Sequence, residues 1–425
     1  MIRRQLFPTL LKHLKAEEIT LLVGARQSGK TTLLKELIRY LLEEKNVGKE
    51  RVFYFNLDLI TDLDTVSDQN EFIQTIKAYL ARVGNKKIYC FIDEAQRIEN
   101  AGIFFKGIYD LSLPVKFILS GSSALEIKSK IGEPLTGRKR LFHLYPFSFR
   151  EFLDATEPSL GSFLRKEERL PQPIVRKLRE LLDEYLIYGG YPKVVLANGR
   201  AEKMEFLEEI YSAYIEKDIV GLMKVGEPLV FNDLVHILAS EAGNLSNIHS
   251  ISSALKIDRR KIENFISILE QTFIIKVIHP YYLNVRKTIK KQPKIYFLDQ
   301  GILNFATQLF FLFSKHPARG QLLENFIASR ITADLYSSGR LSFWRTRDQA
   351  EVDFVITRGN QIIPIEVKAG ELSSMSVSHS MSSFIKHYAP PKMYVVNLAL
   401  EGSLRRANTK IEYIMPWRID KLLQS

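Results

Sequence analysis

The chain has 425 residues, a net charge of +12 and a pI near 9.4. Its 46% apolar and 25% charged residues are ordinary for a soluble globular protein, with length for about three domains. No apolar run reaches the length of a membrane span, and the start, with Arg3 and Arg4, lacks the apolar core of a signal peptide. The single cysteine, Cys90, excludes an internal disulfide, and no Cys/His cluster has zinc spacing; both features fit a reducing cytoplasm. The basic balance suits a nucleic-acid partner, though acidic proteins or lipid headgroups would be attracted too.

In chain order, residues 19–23 form an apolar run that reads as a buried strand, and 31–44 carry leucines at helical spacing. Between them Gly24, Ala25, Arg26, Gln27, Ser28, Gly29, Lys30 and Thr31, followed by Thr32, fit the phosphate-binding loop pattern G-x-x-x-x-G-K-[ST]. The two glycines permit a tight backbone path that turns N–H groups and a helix dipole toward phosphate oxygens. Lys30 is expected to reach the β- and γ-phosphates of ATP, and Thr31 to help hold Mg²⁺. Residues 88–92 read as a second buried strand, ending in Asp93 and Glu94. Asp93 is placed to hold Mg²⁺ and Glu94 to polarise the attacking water, although an Asp at this point also caps helices. A third strand, 115–119, ends in Ser120, either a γ-phosphate sensor or an ordinary turn residue. Arg138 and Arg140 read either as a finger on a neighbouring subunit's nucleotide or as ion-paired surface residues.

The segments GARQSGKTT (24–32), FIDEAQ (91–96), ILSGSSA (118–124), LTGRKR (135–140) and LYPFSFREF (144–152) together resemble the prokaryotic AAA-type ATPases that carry a C-terminal domain of unknown function. The resemblance spans nearly the whole chain. It implies a P-loop core related to AAA+ or signal-transduction ATPases, followed by a region with a restriction-endonuclease-like element. Pro192, in the run from Gly190, resembles the element with which related ATPases touch adenine from a helical lid. The same residues also read as a helix-ending loop.

Residues 146–225 read as a mostly helical lid or connector over 149–156, 174–188 and 202–222, with Pro158, Gly161, Pro171 and Pro173 marking a linker inside it. Tyrosines 185 and 188, and 211 and 214, have core spacing. Residues 226–298 follow the winged-helix pattern: helices over 229–240, 250–256 and 259–271, then strands over 273–278 and 295–298. In that geometry Arg259, Arg260 and Lys261 open a recognition helix. Arg286, Lys287, Lys290, Lys291 and Lys294 form a basic wing, and Tyr281 and Tyr282 at its start are placed to stack on bases. DNA is the expected partner, against the reading of a packing module with a solvated charged face.

In residues 299–425 a helix over 320–335 carries Glu324, and a strand pair carries Glu351-Val352-Asp353 and Glu366-Val367-Lys368. Side chains two apart on a strand share a face, so Glu366 and Lys368 lie together and the hairpin brings Asp353 beside them. The arrangement resembles the PD-(D/E)xK nucleases, with Val352 where that pattern has proline. The resemblance implies Mg²⁺ on Asp353 and Glu366, Lys368 at the attacking water, and Glu324 completing the acidic pocket. The competing readings are an exposed strand face and an endonuclease-like fold that no longer cuts.

The expected architecture is therefore α/β: a P-loop AAA-type parallel-sheet core (1–145), a helical lid (146–225), a winged helix (226–298) and a PD-(D/E)xK-like α/β domain (299–425). The expected function is ATP hydrolysis coupled to DNA engagement, with possible metal-dependent cleavage. The alternative is a non-cleaving ATP-driven switch that regulates a protein partner. Homo-oligomerisation is compatible with either, and no membrane contact is expected.

Overall fold

The computed structural model describes residues 2, 4–121, 135–166, 170–214, 228–282, 291–335 and 339–423. Contacts divide the chain into two units, residues 1–147 with 271–273, and residues 148–270 with 274–425.

The first unit contains α1 (Phe7–His13), β1 (Ile19–Gly24), α2 (Lys30–Arg39), β2 (Val52–Asn56), α3 (Ile60–Ser67) and α4 (Gln69–Arg82). Then come β3 (Ile88–Asp93), α5 (Ala101–Tyr109), β4 (Val115–Gly121) and β5 (Lys139–Leu144). Every strand pairing is parallel, in the order β2-β3-β4-β1-β5. A parallel sheet covered by helices has few polar side chains, which is why β1 is buried throughout and reads as a continuous apolar run. The strand order puts the C-terminal ends of β1, β3 and β4 side by side, where such sheets bind ligands. The helix expected over 31–44 is α-helical to Arg39 and continues as a π-turn, Tyr40–Glu44. Cys90 is buried in β3, and burial pushes its thiol pKa up, as suits a packing residue.

The second unit opens with α6 (Phe149–Thr156), whose N-terminus carries a capping box between Ser148 and Glu151. The prolines expected to mark a linker instead start helices: Pro158 begins α7 (Pro158–Lys166), and Pro173 sits in the first turn of α8 (Gln172–Tyr188). Proline's missing N–H is no loss there, because the first helical turn has no acceptor for it. Tyr185 is buried among Phe149, Phe152 and Phe326, consistent with its spacing. Next come α9 (Pro192–Val195), α10 (Gly199–Ser212), α11 (Pro228–Ser240), α12 (Ile248–Leu255) and α13 (Arg259–Gln271). Residues 215–222 of the expected third lid helix lie outside the described residues.

An antiparallel pair, β6 (Ile275–Pro280) and β7 (Lys294–Phe297), follows α13. After α14 (Gln300–Thr307) and α15 (Arg319–Leu335), β8 (Arg340–Arg345), β9 (Glu351–Arg358) and β10 (Gln361–Lys368) form an antiparallel meander. The helix α16 (His379–Tyr388) then crosses to β11 (Lys392–Asn397), which is parallel to β10, before β12 (Gly402–Arg406) and β13 (Thr409–Ile414). β6 pairs with β8, so one eight-stranded sheet runs β12-β13-β11-β10-β9-β8-β6-β7. The ribbon after the three helices and the strands carrying the acidic residues thus belong to one sheet. Among the described residues no helix is long and apolar enough to cross a membrane.

Candidate functional sites

At the first site Gly24 lies so close to β5 that a Cβ there would sit 2.1 Å from the Leu144 carbonyl oxygen. Only glycine fits. Gly29 has φ of 96°, the left-handed region that favours glycine, and α2 begins immediately after it. Lys30 is buried, and its Nζ donates to the carbonyls of Gly24 at 3.0 Å and Ala25 at 2.9 Å, folding back across the loop. Ser28 Oγ also donates to the Ala25 carbonyl. Gln27 has φ of 55°, and its Oε1 is buried without a hydrogen-bond partner. A glycine-framed loop, a helix N-terminus and an ammonium held over the loop fit a polyphosphate.

Asp93, at the end of β3, is 2% exposed and accepts hydrogen bonds from three hydroxyls. Thr31 Oγ1 donates to Oδ2 at 2.6 Å, Tyr54 to Oδ2 at 3.2 Å, and Ser120 to Oδ1. Burial and the Asp93 charge push the Tyr54 hydroxyl pKa up, so it stays a donor. Ser120 is thus one of three hydroxyls that hold Asp93, and its Oγ also accepts from the Glu94 N–H at 3.4 Å. Glu94 has φ of 57°, and its carboxylate accepts from Gln96 Nε2 at 2.5 Å. The Thr31 hydroxyl and Asp93 carboxylate side by side suit Mg²⁺.

Two residues of this site escaped sequence reasoning. Buried Arg4 donates to the Ser28 carbonyl at 2.7 Å and the Tyr145 carbonyl at 2.6 Å, and lies 4.9 Å from the Phe147 ring centroid. It braces the phosphate loop from outside the motif. Tyr54 lies on β2, which pairs with β3, and only the pairing brings it to Asp93.

The second site brings Glu324, Asp353, Glu366 and Lys368 together within the second unit. The β9–β10 register runs to Phe354↔Ile365, one step short of Asp353 and Glu366. Asp353 Oδ2 accepts from the Val367 N–H at 2.7 Å, and Lys368 Nζ donates to Glu366 Oε1 at 2.6 Å. Burial, reinforced by the Glu324 and Glu366 charges and opposed by Lys294, raises the Asp353 pKa well above the usual range. Burial also raises that of Glu366, against the pull of Lys368. Glu366 is 4% exposed, and its Oε2 is buried with no hydrogen-bond partner.

Lys294 is the main correction to the basic wing. It is not a loop lysine but a buried residue of β7, with Nζ 3.2 Å from Glu324 Oε1 and 2.6 Å from Glu351 Oε1. Burial opposes its charge, but Glu324 and Glu351 outweigh that and raise its pKa. Tyr296, two residues on and so on the same strand face, also donates to Glu324 Oε1. That period-two spacing was the available signal, hidden because Lys294 follows a run of basic residues. Among the described residues no three His, Cys, Asp or Glu side chains form a group that could hold a metal ion. A divalent ion here would rest on Asp353 and Glu366, with backbone or water completing its shell, as Mg²⁺ commonly does.

The remaining expected residues fall as follows. Arg138 pairs with Asp110 at 2.7 Å, and Thr32 is exposed on α2. Pro192 opens α9, after a loop in which the Gly190 N–H donates to Asp299 Oδ2 at 2.7 Å. Burial lifts the Asp299 pKa to about 6, against the N–H groups of Gly190, Ile302 and Gly301. Arg259 bonds Glu263 at 2.8 Å and His249 at 3.1 Å; exposed Arg260 has no ion-pair partner among the described residues. Lys261 lies over the Phe265 ring, and Lys291 is exposed. Arg286, Lys287 and Lys290 lie outside the described residues. Tyr281, expected to stack on bases, instead packs against Tyr388, ring centroids 5.4 Å apart.

Comparison with known families agrees with the first site. Residues 16–153 match the family described as "AAA domain", and the strand order and loop geometry of this part agree with an AAA-type P-loop domain. Residues 179–311 and 319–418 match two domains of unknown function, DUF8612 and DUF4143. An uncharacterized protein of Haemophilus influenzae is 25% identical over 86% of this chain and 86% of its own. One of Methanocaldococcus jannaschii is 24% identical over 90% of this chain and 81% of its own. Among solved structures, the Aeropyrum pernix ORC2 protein in its ADP form aligns with a TM-score of 0.37 and 14% identity. It covers 65% of this chain and 87% of that one. Domain III of the Thermotoga maritima replication initiation protein DnaA aligns with a TM-score of 0.29 and 14% identity, over 53% of this chain and 93% of that one.

Proposed function

We propose that this chain is a Mg²⁺-dependent ATPase that couples its nucleotide state to DNA engagement, with metal-dependent phosphodiester cleavage at the carboxylate cluster. The observation that carries the reading is the Thr31–Asp93 hydrogen bond of 2.6 Å beside Lys30 on a glycine-framed loop. The loop N–H groups and Lys30 bind and orient the phosphates, Thr31 and Asp93 hold the ion, and Glu94 polarises the water that attacks the γ-phosphorus. Mg²⁺ supplies neutralisation of the charge that builds on the phosphate oxygens. Arg4 and Ser120 keep the loop and Asp93 in register, and Pro192 is assigned to the adenine on resemblance alone.

DNA engagement is assigned to Arg259, Arg260 and Lys261 at the start of α13, together with the basic segment from Arg286 through Lys287 and Lys290 to Lys291. What supports it is the helix–helix–helix–ribbon order of α11 to β7 and the exposure of Arg259 and Arg260. Cleavage is assigned to Asp353 and Glu366 as ion ligands, with Lys368 orienting the attacking water. The ATPase and DNA-binding assignments are tested together. ATP turnover is measured for wild type and Lys30→Ala, and DNA affinity for wild type and Arg259→Ala/Arg260→Ala across a salt series. Turnover lost with Lys30, and a salt slope reduced by the arginine change, is the expected result. Full turnover without Lys30 contradicts the ATPase assignment. Salt-insensitive affinity contradicts the DNA assignment and favours a switch that acts on a protein partner.

A further inference from the structure

The carboxylate cluster already contains a cation of its own. Glu324, Glu351, Asp353 and Glu366 come from α15, β9 and β10, and Lys294 from β7 inserts its ammonium at one side of them. Its side chain is 4% exposed and bridges Glu324 Oε1 at 3.2 Å and Glu351 Oε1 at 2.6 Å. The same Glu324 oxygen also accepts from Tyr296, and Glu351 Oε2 accepts from Arg345 at 2.8 Å. These two carboxylates are neutralised by the chain itself. The other side differs. Glu366 Oε2 is buried with no partner, and Lys368, which holds Oε1, is 40% exposed. A buried carboxylate oxygen without a donor is costly unless something cationic completes it.

We propose that Lys294 acts as a built-in cation on the Glu324–Glu351 side, so that the cluster takes one divalent ion, on Asp353 and Glu366, rather than two. Lys294 is a positioning residue: it orients Glu324 and Glu351 and denies them to a second ion. The inference rests on the reading of Asp353 and Glu366 as metal ligands and adds the stoichiometry and its cause. It also explains why no three acidic side chains converge as a ligand group, since Lys294 and Tyr296 hold Glu324.

The test counts Mn²⁺ on the full chain without nucleotide, by calorimetry and by the paramagnetic signal of free Mn²⁺. Wild type, Lys294→Met, Lys294→Arg and Glu366→Gln are compared, with circular dichroism to verify folding. Ions are counted in excess of Glu366→Gln, which leaves only what Thr31 and Asp93 hold: one is expected on wild type and on Lys294→Arg, which keeps the charge, and two on Lys294→Met. Two ions on wild type, both lost in Glu366→Gln, overturn the inference while leaving the metal reading intact. One ion on a folded Lys294→Met does the same. No ion on wild type overturns both. Removing one partner of a buried charge set can unfold a chain. Should Lys294→Met not fold, the difference in count between wild type and Glu366→Gln still decides between one ion and two.

Discussion

Eight consecutive residues, Gly24 to Thr31, carry most of the phosphate site, whereas the carboxylate cluster draws Lys294, Glu324, Asp353, Glu366 and Lys368 from three strands and a helix. The first site works through backbone geometry, which neighbours in sequence dictate directly. The second works through charge balance between side chains, which only long-range pairing creates. The difference shows in what each tolerates. At the loop, shape is decisive and a single methyl is too much. In the cluster, volume matters less than leaving no carboxylate without a cation.

The largest effect expected is on the chemistry of the loop. Lys30→Ala should lower ATP turnover by about 100-fold or more, the scale of removing one preorganised charge from a transition state. A steady-state phosphate-release assay checks this. Gly24→Ala should destabilise the first unit by on the order of 3 kcal/mol, because its Cβ would meet the Leu144 carbonyl at 2.1 Å. Denaturant unfolding reads that loss, and an unchanged midpoint would break the claim that shape rules here.

A pH shift separates the units in opposite directions. His13 in the first unit is held down to about 4 by burial, with Lys116 adding to it, so its folded pKa lies below the unfolded value of 6.5. Its contribution is present above pH 6.5 and is lost as pH falls toward 4. Asp299 in the second unit is lifted by burial to about 6, above its unfolded value of 3.8. Its contribution is present below 3.8 and is lost as pH rises through 6. Moving from pH 7 to pH 5 should therefore remove the His13 contribution from the first unit and restore the Asp299 contribution to the second, each on the order of 1–2 kcal/mol. Hydrogen exchange resolved by segment measures both, and Asp299→Asn should flatten the second response. The smallest effect expected is at the surface. Arg260→Ala should weaken DNA binding only a few-fold, with a shallower salt slope and no change in melting temperature.

Much of the first unit was legible because its signals are local. Continuous apolar runs marked β1, β3 and β4, and the glycine spacing marked the loop between β1 and α2. Arg4 was not, because its partners are carbonyls of Ser28 and Tyr145, and a backbone carbonyl leaves no trace in sequence. In the second unit, strand alternation placed Glu366 beside Lys368, and the hairpin brought Asp353 to them. Lys294 was misplaced in the basic wing because lysine beside a run of lysines reads as solvated. Its burial follows from β6 and β7 joining the sheet that holds Glu351, a pairing set by contacts tens of residues apart. The prolines at 158 and 173 mark helix starts rather than a linker, since proline interrupts a helix only from its interior.

The most direct test of the central claim is survival of linear, circular and single-stranded DNA incubated with the protein and Mg²⁺ or Mn²⁺. It is run with and without ATP, beside Asp353→Ala and Lys30→Ala. The account predicts cleavage that disappears with Asp353→Ala and whose ATP response disappears with Lys30→Ala. Intact DNA in every lane, alongside undiminished ATP turnover, would contradict it and leave the carboxylate cluster as a docking surface.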